Sequence, residues 1–207
     1  MDCSPNVSWQ DGGLSRERRW RALAASGATI WLTGLPASGK STIGAAVEER
    51  LVERRQPAYL LDGDNLRHGI CGDLGFTAPD RETNIRRVGE LARLFADAGV
   101  VAVVALVSPF EAARRAVRDR HLEAGLPFFE VFVDTPLELC ASRDVKGHYA
   151  RARAGELPGF TGVDAPYEPP SRPDLRLRSD LSLEVAVEAV LRLLAGERPE
   201  APKGGWG

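Results

Sequence analysis

Ala28-Thr29-Ile30-Trp31-Leu32-Thr33-Gly34-Leu35-Pro36-Ala37-Ser38-Gly39-Lys40-Ser41-Thr42 is the stretch that decides how the chain is read. Ala28–Thr33 is an apolar, β-rich run and predicts a buried strand. Gly34–Ser41 fits GxxxxGK[ST] in full, and Thr42–Arg55 follows with Ile43, Val47 and Leu51 at helical spacing. A strand, a glycine-punctuated turn and a helix form the context in which that motif has a physical meaning. The glycines let the backbone curl so that successive N–H groups face one anion, and the helix N-terminus adds its partial positive charge. Lys40 is placed to reach the β- and γ-phosphates, and Ser41 to give its hydroxyl to Mg²⁺. Gly34, Ala37, Ser38, Gly39, Lys40, Ser41 and Thr42 are therefore the candidate contacts to a nucleoside triphosphate. A chance glycine turn is the competing reading, and the flanking strand and helix disfavour it. The motif leaves the acceptor open.

The alternation continues along the chain. Ser15–Ala25 predicts a short helix with Ser15 as N-cap. Ala58–Leu61, Val100–Val107, Pro127–Val133 and Leu175–Leu177 predict further strands. Asp80–Ala98, with Ile85, Val88, Leu91, Leu94 and Phe95 apolar, predicts a helix, as do Pro109–Ala124, a short segment after Pro136, and Ser182–Ala195. Strands with little polar alternation, separated by helices, imply a parallel sheet buried on both faces. The expected class is α/β: a P-loop NTPase fold with a five-stranded parallel sheet flanked by helices. Lys146–Pro173 is rich in Gly, Pro and charge and long for a connection, which predicts a lid or binding loop. The expected division is an extension with a short helix over 1–27, one domain over 28–195 with its lid over 146–169, and a flexible tail over 196–207.

Bulk properties narrow the class. A chain of 207 residues with 43% hydrophobic content suits one domain with a sizeable core. A net charge of -2 and a pI near 6.0 argue against a general nucleic-acid binder. Cys3, Cys71 and Cys140 are odd in number and lack CxxC spacing, which disfavours a disulfide framework or a zinc site and points to a reducing compartment. No basic-then-apolar leader opens the chain, and the longest apolar run falls far short of the ~20 residues of a membrane span. A cytoplasmic protein is expected, with neither nucleic acid nor membrane among its partners.

Past the second strand, Leu60-Leu61-Asp62-Gly63-Asp64-Asn65-Leu66-Arg67-His68-Gly69 sets two carboxylates and a guanidinium where an open α/β sheet receives its ligands. Phosphorylating a hydroxyl calls for a carboxylate that orients it and takes its proton, and for acidic groups near Mg²⁺. Asp62 and Asp64, two apart, would share a side of extended backbone. Arg67 suits an anionic acceptor. An ordinary Asx-turn is the bland alternative, and His68 carries no assigned role. Arg81 and Asn84 share a helical face suited to phosphate or sulfate. A solvated face with ion pairs to Glu82 and Glu90 competes with that reading. Arg143, Asp144 and Lys146 follow the fourth strand, where an Arg plane can stack on adenine. Phe160, in the suspected lid, has no evident core to fill and reads as a base stack.

These residues resemble one family, the adenylylsulfate kinases of sulfate activation. The matching runs are IWLTGLPASGKST, LLDGDNLRHG, DLGF with DRETNIRR, LFADAG, SPF, EVFVDTPLELC, RDVKGHY, RARAGELPGFTGVDAPYEPP and LRL, in order from about Trp9 to Leu194. The resemblance implies transfer of the γ-phosphate of ATP to the ribose 3′-hydroxyl of adenylyl sulfate, giving 3′-phosphoadenylyl sulfate. It implies Asp64 as base and Asp62 as support for Mg²⁺ and the loop. Arg67, Arg81 and Asn84 would hold the acceptor's sulfate–phosphate bridge, with Phe76 and Phe160 around its adenine. Lys146 would reach the acceptor, Ser108 would sit near the phosphates, and Arg143 would contact the ATP adenine. A homodimer is implied by the family's habit alone. Three departures stand out: Pro36-Ala37-Ser38 replaces a common Ser-Gly-Ala, His148 a usual leucine, and Ala150-Arg151 a lysine pair. Two other classes remain open to the residues alone, a kinase for another hydroxyl and a catalytically weak regulatory subunit. Intact Lys40, Ser41, Asp62 and Asp64 speak against the second.

Overall fold

Residues 28–33 and 101–105 are buried at every position, which only a strand covered on both faces can be. In the computed structural model, which describes residues 6, 8, 10, 12–144 and 146–197, five parallel strands form one sheet. They are β1 (Ala28–Thr33), β2 (Ala58–Asp62), β3 (Val101–Ala105), β4 (Phe128–Asp134) and β5 (Leu175–Arg178), in the order β2-β3-β1-β4-β5. The helices are α1 (Arg16–Leu23), α2 (Lys40–Glu53), α3 (Gly63–Leu66), α4 (Ala78–Ala98), α5 (Glu111–Glu123), α6 (Leu137–Ser142), α7 (His148–Arg153) and α8 (Leu183–Leu194). The sheet and its flanking helices are those the sequence predicts, with ends shifted by at most two residues.

Period-2 alternation splits the core in two. On one face Ile30, Leu32, Val103, Val131 and Val133 pack with Val47 and Leu51 of α2 and Val187, Val190 and Leu191 of α8. On the other, Trp31, Ala102 and Val104 pack with Ile85, Val88 and Ala92 of α4 and Val117 of α5. Each of the valine, leucine and isoleucine side chains contributes roughly 1.5–3 kcal/mol by leaving water, and the alanines less. The packing leaves no slack where α4 meets α5: a Cβ on Gly89 would lie 2.6 Å from a methyl of Val117.

Local signals set the ends. Thr77 caps α4 by accepting from the Asp80 N–H, and Gly99, at φ 97°, closes it with a left-handed turn. Ser15 caps α1 as expected. That helix docks on the end of α4, where Arg16 and Arg19 pair with Asp97 at 2.7 and 3.0 Å and the Trp20 indole donates to the Asp97 carbonyl at 3.0 Å. Cys71 and Cys140 are buried and free. Cys3, Trp9 and residues 198–207 of the expected tail lie outside the described residues.

Two helices were not legible. α3 and α7, of four and six residues, are too short to show an apolar period. In each, an aspartate carboxylate from before the helix accepts from first-turn N–H groups. Asp62 accepts from the N–H groups of Asp64 and Asn65, and Asp144 from those of His148, Tyr149 and Ala150. The first corrects an expectation: Asp62 and Asp64 do not share a side of extended backbone. Asp62 ends β2 and caps α3, whereas Asp64 lies in that helix's first turn.

Candidate active site

The C-terminal ends of the strands open on a cleft of about 840 Å³. Every site residue expected from the sequence lines it except Gly34. Gly34 lies beneath the loop at φ 157°, where a Cβ would sit 2.6 Å from the Val133 carbonyl of β4. No other residue type fits there.

The phosphate loop is pinned from several sides. Lys40 is buried and donates to the carbonyls of Gly34 and Leu35, at 3.1 and 2.7 Å, and to the Ser38 hydroxyl at 3.3 Å. Burial disfavours its charged form and brings its pKa down to about 8. The Ser38 carbonyl accepts from the Thr135 hydroxyl at 2.9 Å, and the Pro36 carbonyl from the Tyr149 hydroxyl at 2.9 Å. Among the described residues, the N–H groups of Ala37, Gly39, Lys40, Ser41 and Thr42 donate to no protein acceptor. Five unpartnered donors around a helix N-terminus make a nest for an anion.

Across the cleft floor, the Ser41 hydroxyl donates to Asp62 Oδ2 at 2.6 Å, while Asp62 Oδ1 caps α3. Asp64 projects into the cleft and is ion-paired with Lys146, both side chains largely exposed. The Lys146 ammonium holds the Asp64 carboxyl below its ordinary pKa, so Asp64 is ionised at neutral pH.

On the far side, Phe76 is flanked by two cations, Arg67 at 4.2 Å and Arg81 at 5.6 Å from its ring centroid. Arg67 donates to the carbonyls of Leu74 and Gly75. Arg81 donates to the carbonyls of Phe76 and Gly159, at 2.9 and 2.7 Å. Burial, with Arg67 adding to it, disfavours charge on Arg81, which an incoming anion would relieve. Asn84 is buried with its Oδ1 unpartnered. The solvated-face reading holds only in part: Glu90 pairs with Arg93 and Arg120, and Arg87 turns away to Asp73.

One expectation needs correcting. Phe160 does have something to pack on: its ring meets Tyr149 edge-on at 4.9 Å and His148 at 6.1 Å, and Asp164 accepts from its N–H and that of Gly159 at 2.6 Å each. The Ser108 hydroxyl is not free for phosphate. It is buried, accepts from the Trp31 indole and donates to Thr33, each at 3.0 Å.

Sequence reading missed Tyr149, Thr135, Arg114 and Asp164. Asp164, four residues past Phe160, and Asp144, four before His148, are loop-capping signals that point to them. Arg114 carried no signal among so many arginines.

Residues 26–178 match the family described as Adenylylsulphate kinase. The chain belongs to the adenylylsulphate kinase family. The activity expected from the sequence, ATP-dependent phosphorylation of adenylyl sulfate, is that family's activity, and the chain is a phosphotransferase. The adenylyl-sulfate kinase of Yersinia pestis is 48% identical, aligned over 92% of this chain and 89% of the relative. That of Saccharomyces pastorianus is 45% identical over 93% of this chain and 96% of the relative. The Mycobacterium tuberculosis APS kinase, solved with AMPPNP and APS, superposes with a TM-score of 0.81 and 50% identity, covering 83% of this chain and 99% of that one. A shikimate kinase from Acinetobacter baumannii, 15% identical at a TM-score of 0.55 over 87% of this chain and 99% of that one, shares the fold alone.

Proposed function

We propose that residues 28–195 form a catalytic domain that moves the γ-phosphate of ATP to the ribose 3′-hydroxyl of adenylyl sulfate. The products are ADP and 3′-phosphoadenylyl sulfate. One observation carries the reading. A nest of five free N–H groups, the Asp64–Lys146 pair and the Arg67–Phe76–Arg81 cluster line a single cleft. Together they suit a triphosphate, a reacting hydroxyl and an anionic nucleotide.

Gly34 to Thr42 hold the triphosphate, with Lys40 turning from the loop carbonyls to the β- and γ-phosphates and Arg143 against the donor adenine. The oxygens of Ser41 and Asp62 converge within 2.6 Å, a pair of protein oxygens that would hold Mg²⁺. Bound there, the ion neutralises phosphate charge. Ionised Asp64 accepts a hydrogen bond from the 3′-hydroxyl, aligns it and takes its proton as the O–P bond forms and the bond to ADP breaks. Lys146 leaves Asp64 for the acceptor as the lid, 146–169, closes. Arg67, Arg81 and the orphaned Asn84 Oδ1 hold the acceptor, with Phe76 and Phe160 around its adenine. Ser108 serves by shaping the β3 edge. A homodimer in the cytoplasm belongs to the same proposal. Among the described residues no helix is long and apolar enough to cross a membrane.

A coupled ADP-release assay tests the reading, with ATP·Mg²⁺ and adenylyl sulfate, AMP or adenosine as acceptor. Fast release with adenylyl sulfate alone is expected. Equal release with AMP would remove the need for a sulfate-bearing acceptor and with it the roles of Arg81 and Asn84.

A further inference from the structure

The crest of the phosphate loop is a tight turn with an unfavourable residue in it. The Ser38 N–H donates to the Leu35 carbonyl at 3.1 Å, closing a turn over Leu35–Ser38 with Pro36 and Ala37 at its centre. Ala37 sits at φ 59°. Proline first and a left-handed residue second describe a type II turn, whose second central position belongs to glycine. Alanine there is strained by its Cβ and favours the type I form, in which its φ is near -90°.

The two turn types differ by a flip of the central peptide. Here that peptide joins Pro36 to Ala37, and it is trans, so its carbonyl and its N–H point in opposite directions. The carbonyl is held by the Tyr149 hydroxyl at 2.9 Å, from outside the loop. The N–H faces the other way and has no protein partner among the described residues. A flip to type I would set the Pro36 carbonyl where that donor stands and present an acceptor to a triphosphate.

We propose that Tyr149 is a positioning residue for the donor nucleotide, holding the Pro36–Ala37 peptide in its type II orientation so that the Ala37 N–H stays aimed at the phosphates. Tyr149 is built for this task. It is 1% exposed, and its own N–H is fixed at 2.8 Å by the Asp144 carboxylate that starts α7. Its ring backs Phe160 at 4.9 Å. The same short turn carries Lys146 to Asp64, so one element of the lid reaches both the donor loop and the reacting carboxylate. The proposal rests on the reading of the loop as the ATP site and does not depend on which acceptor is used.

Tyr149→Phe removes the hydroxyl and keeps the packing. Calorimetric titration of the full-length protein with ATP·Mg²⁺, without acceptor, is expected to show affinity weakened about tenfold. The same substitution made together with Ala37→Gly separates positioning from packing, because glycine holds φ 59° without strain. Relative to Ala37→Gly alone, the double variant is expected to lose less than about threefold. Unchanged ATP affinity in Tyr149→Phe would overturn the proposal. So would an equal loss in both backgrounds, which marks a packing role. Since no acceptor is present, failure with adenylyl sulfate in the ADP-release assay leaves this test standing, and the reverse holds too.

Discussion

Arg114→Met is the substitution whose cost is best defined by the structure. Arg114 is 1% exposed and spends all of its guanidinium on three partners: Glu130 Oε1 at 2.7 Å and the carbonyls of Ser108 and Glu168 at 2.6 and 2.8 Å. Methionine fills the space of the stem and supplies none of those donors. Among the described residues, Glu130, 9% exposed, would keep only Arg118, at 3.8 Å. Removing one partner of a buried ion pair costs about 3–5 kcal/mol, because the other charge is left uncompensated. In a chain of this size each kcal/mol moves the melting temperature by about 2–4 °C, so a fall of roughly 10 °C is expected. Circular-dichroism melts at pH 7 measure it. Arg114→Met/Glu130→Met removes both charges and should recover most of the loss. Turnover should not recover with it, since the Ser108 carbonyl, at a residue with φ 42° on the cleft wall, and the lid's far anchor at Glu168 still lack their donor. A single variant that melts within about 2 °C of the parent would refute the reasoning, because Glu130 would then be satisfied without Arg114.

Three further outcomes are expected. Asp64→Asn lowers kcat by about 10²–10⁴-fold while calorimetry finds ATP affinity retained; unchanged kcat removes Asp64 as the base. Arg81→Ala raises the KM for adenylyl sulfate by about 10–100-fold through loss of charge-assisted hydrogen bonds, and a rise confined to the KM for ATP contradicts its placement on the acceptor side. His121 is buried between α5 and β1, bonded to the Val117 carbonyl at 2.8 Å and the Thr29 hydroxyl at 2.9 Å, and burial holds its pKa below the ordinary 6.5. The unfolded chain therefore binds this proton first, so the stability that His121 supports is full above pH 6.5 and falls as the pH drops below it. Urea midpoints in His121→Gln should lose that part of the slope, and parallel slopes in parent and variant would exclude it.

The parts of the fold that were legible are those governed by burial. β1 and β3 announce themselves because both faces are covered, and α4 because its apolar residues repeat at helical spacing. α3 and α7 escaped because each is held by a single aspartate rather than by a stripe of apolar residues. The same cause misled the reading of Asp62 and Asp64, since extended geometry was carried across Gly63 when a cap had already turned the chain. The phosphate loop is local in sequence, and its motif could be read outright. The opposite wall of the cleft is assembled from α3, the start of α4 and residues 146–169, so Phe76 between Arg67 and Arg81, or Phe160 against Tyr149, exists only after folding. Nothing in the sequence tells that the Trp31 indole and Thr33 reach the Ser108 hydroxyl.

Lys40 gives the cleft a proton inventory that changes with its contents. Held at about 8 by burial, its ammonium is shared among two carbonyls and one hydroxyl, none of them charged. A triphosphate puts several negative charges beside it and drives it fully to the protonated form. ATP binding in the mildly alkaline range takes up protons from the medium, and the uptake fades as the pH falls. The heat of binding then depends on the buffer that gives up that proton, and ATP affinity declines through the alkaline range, where carboxylates and phosphates are already ionised.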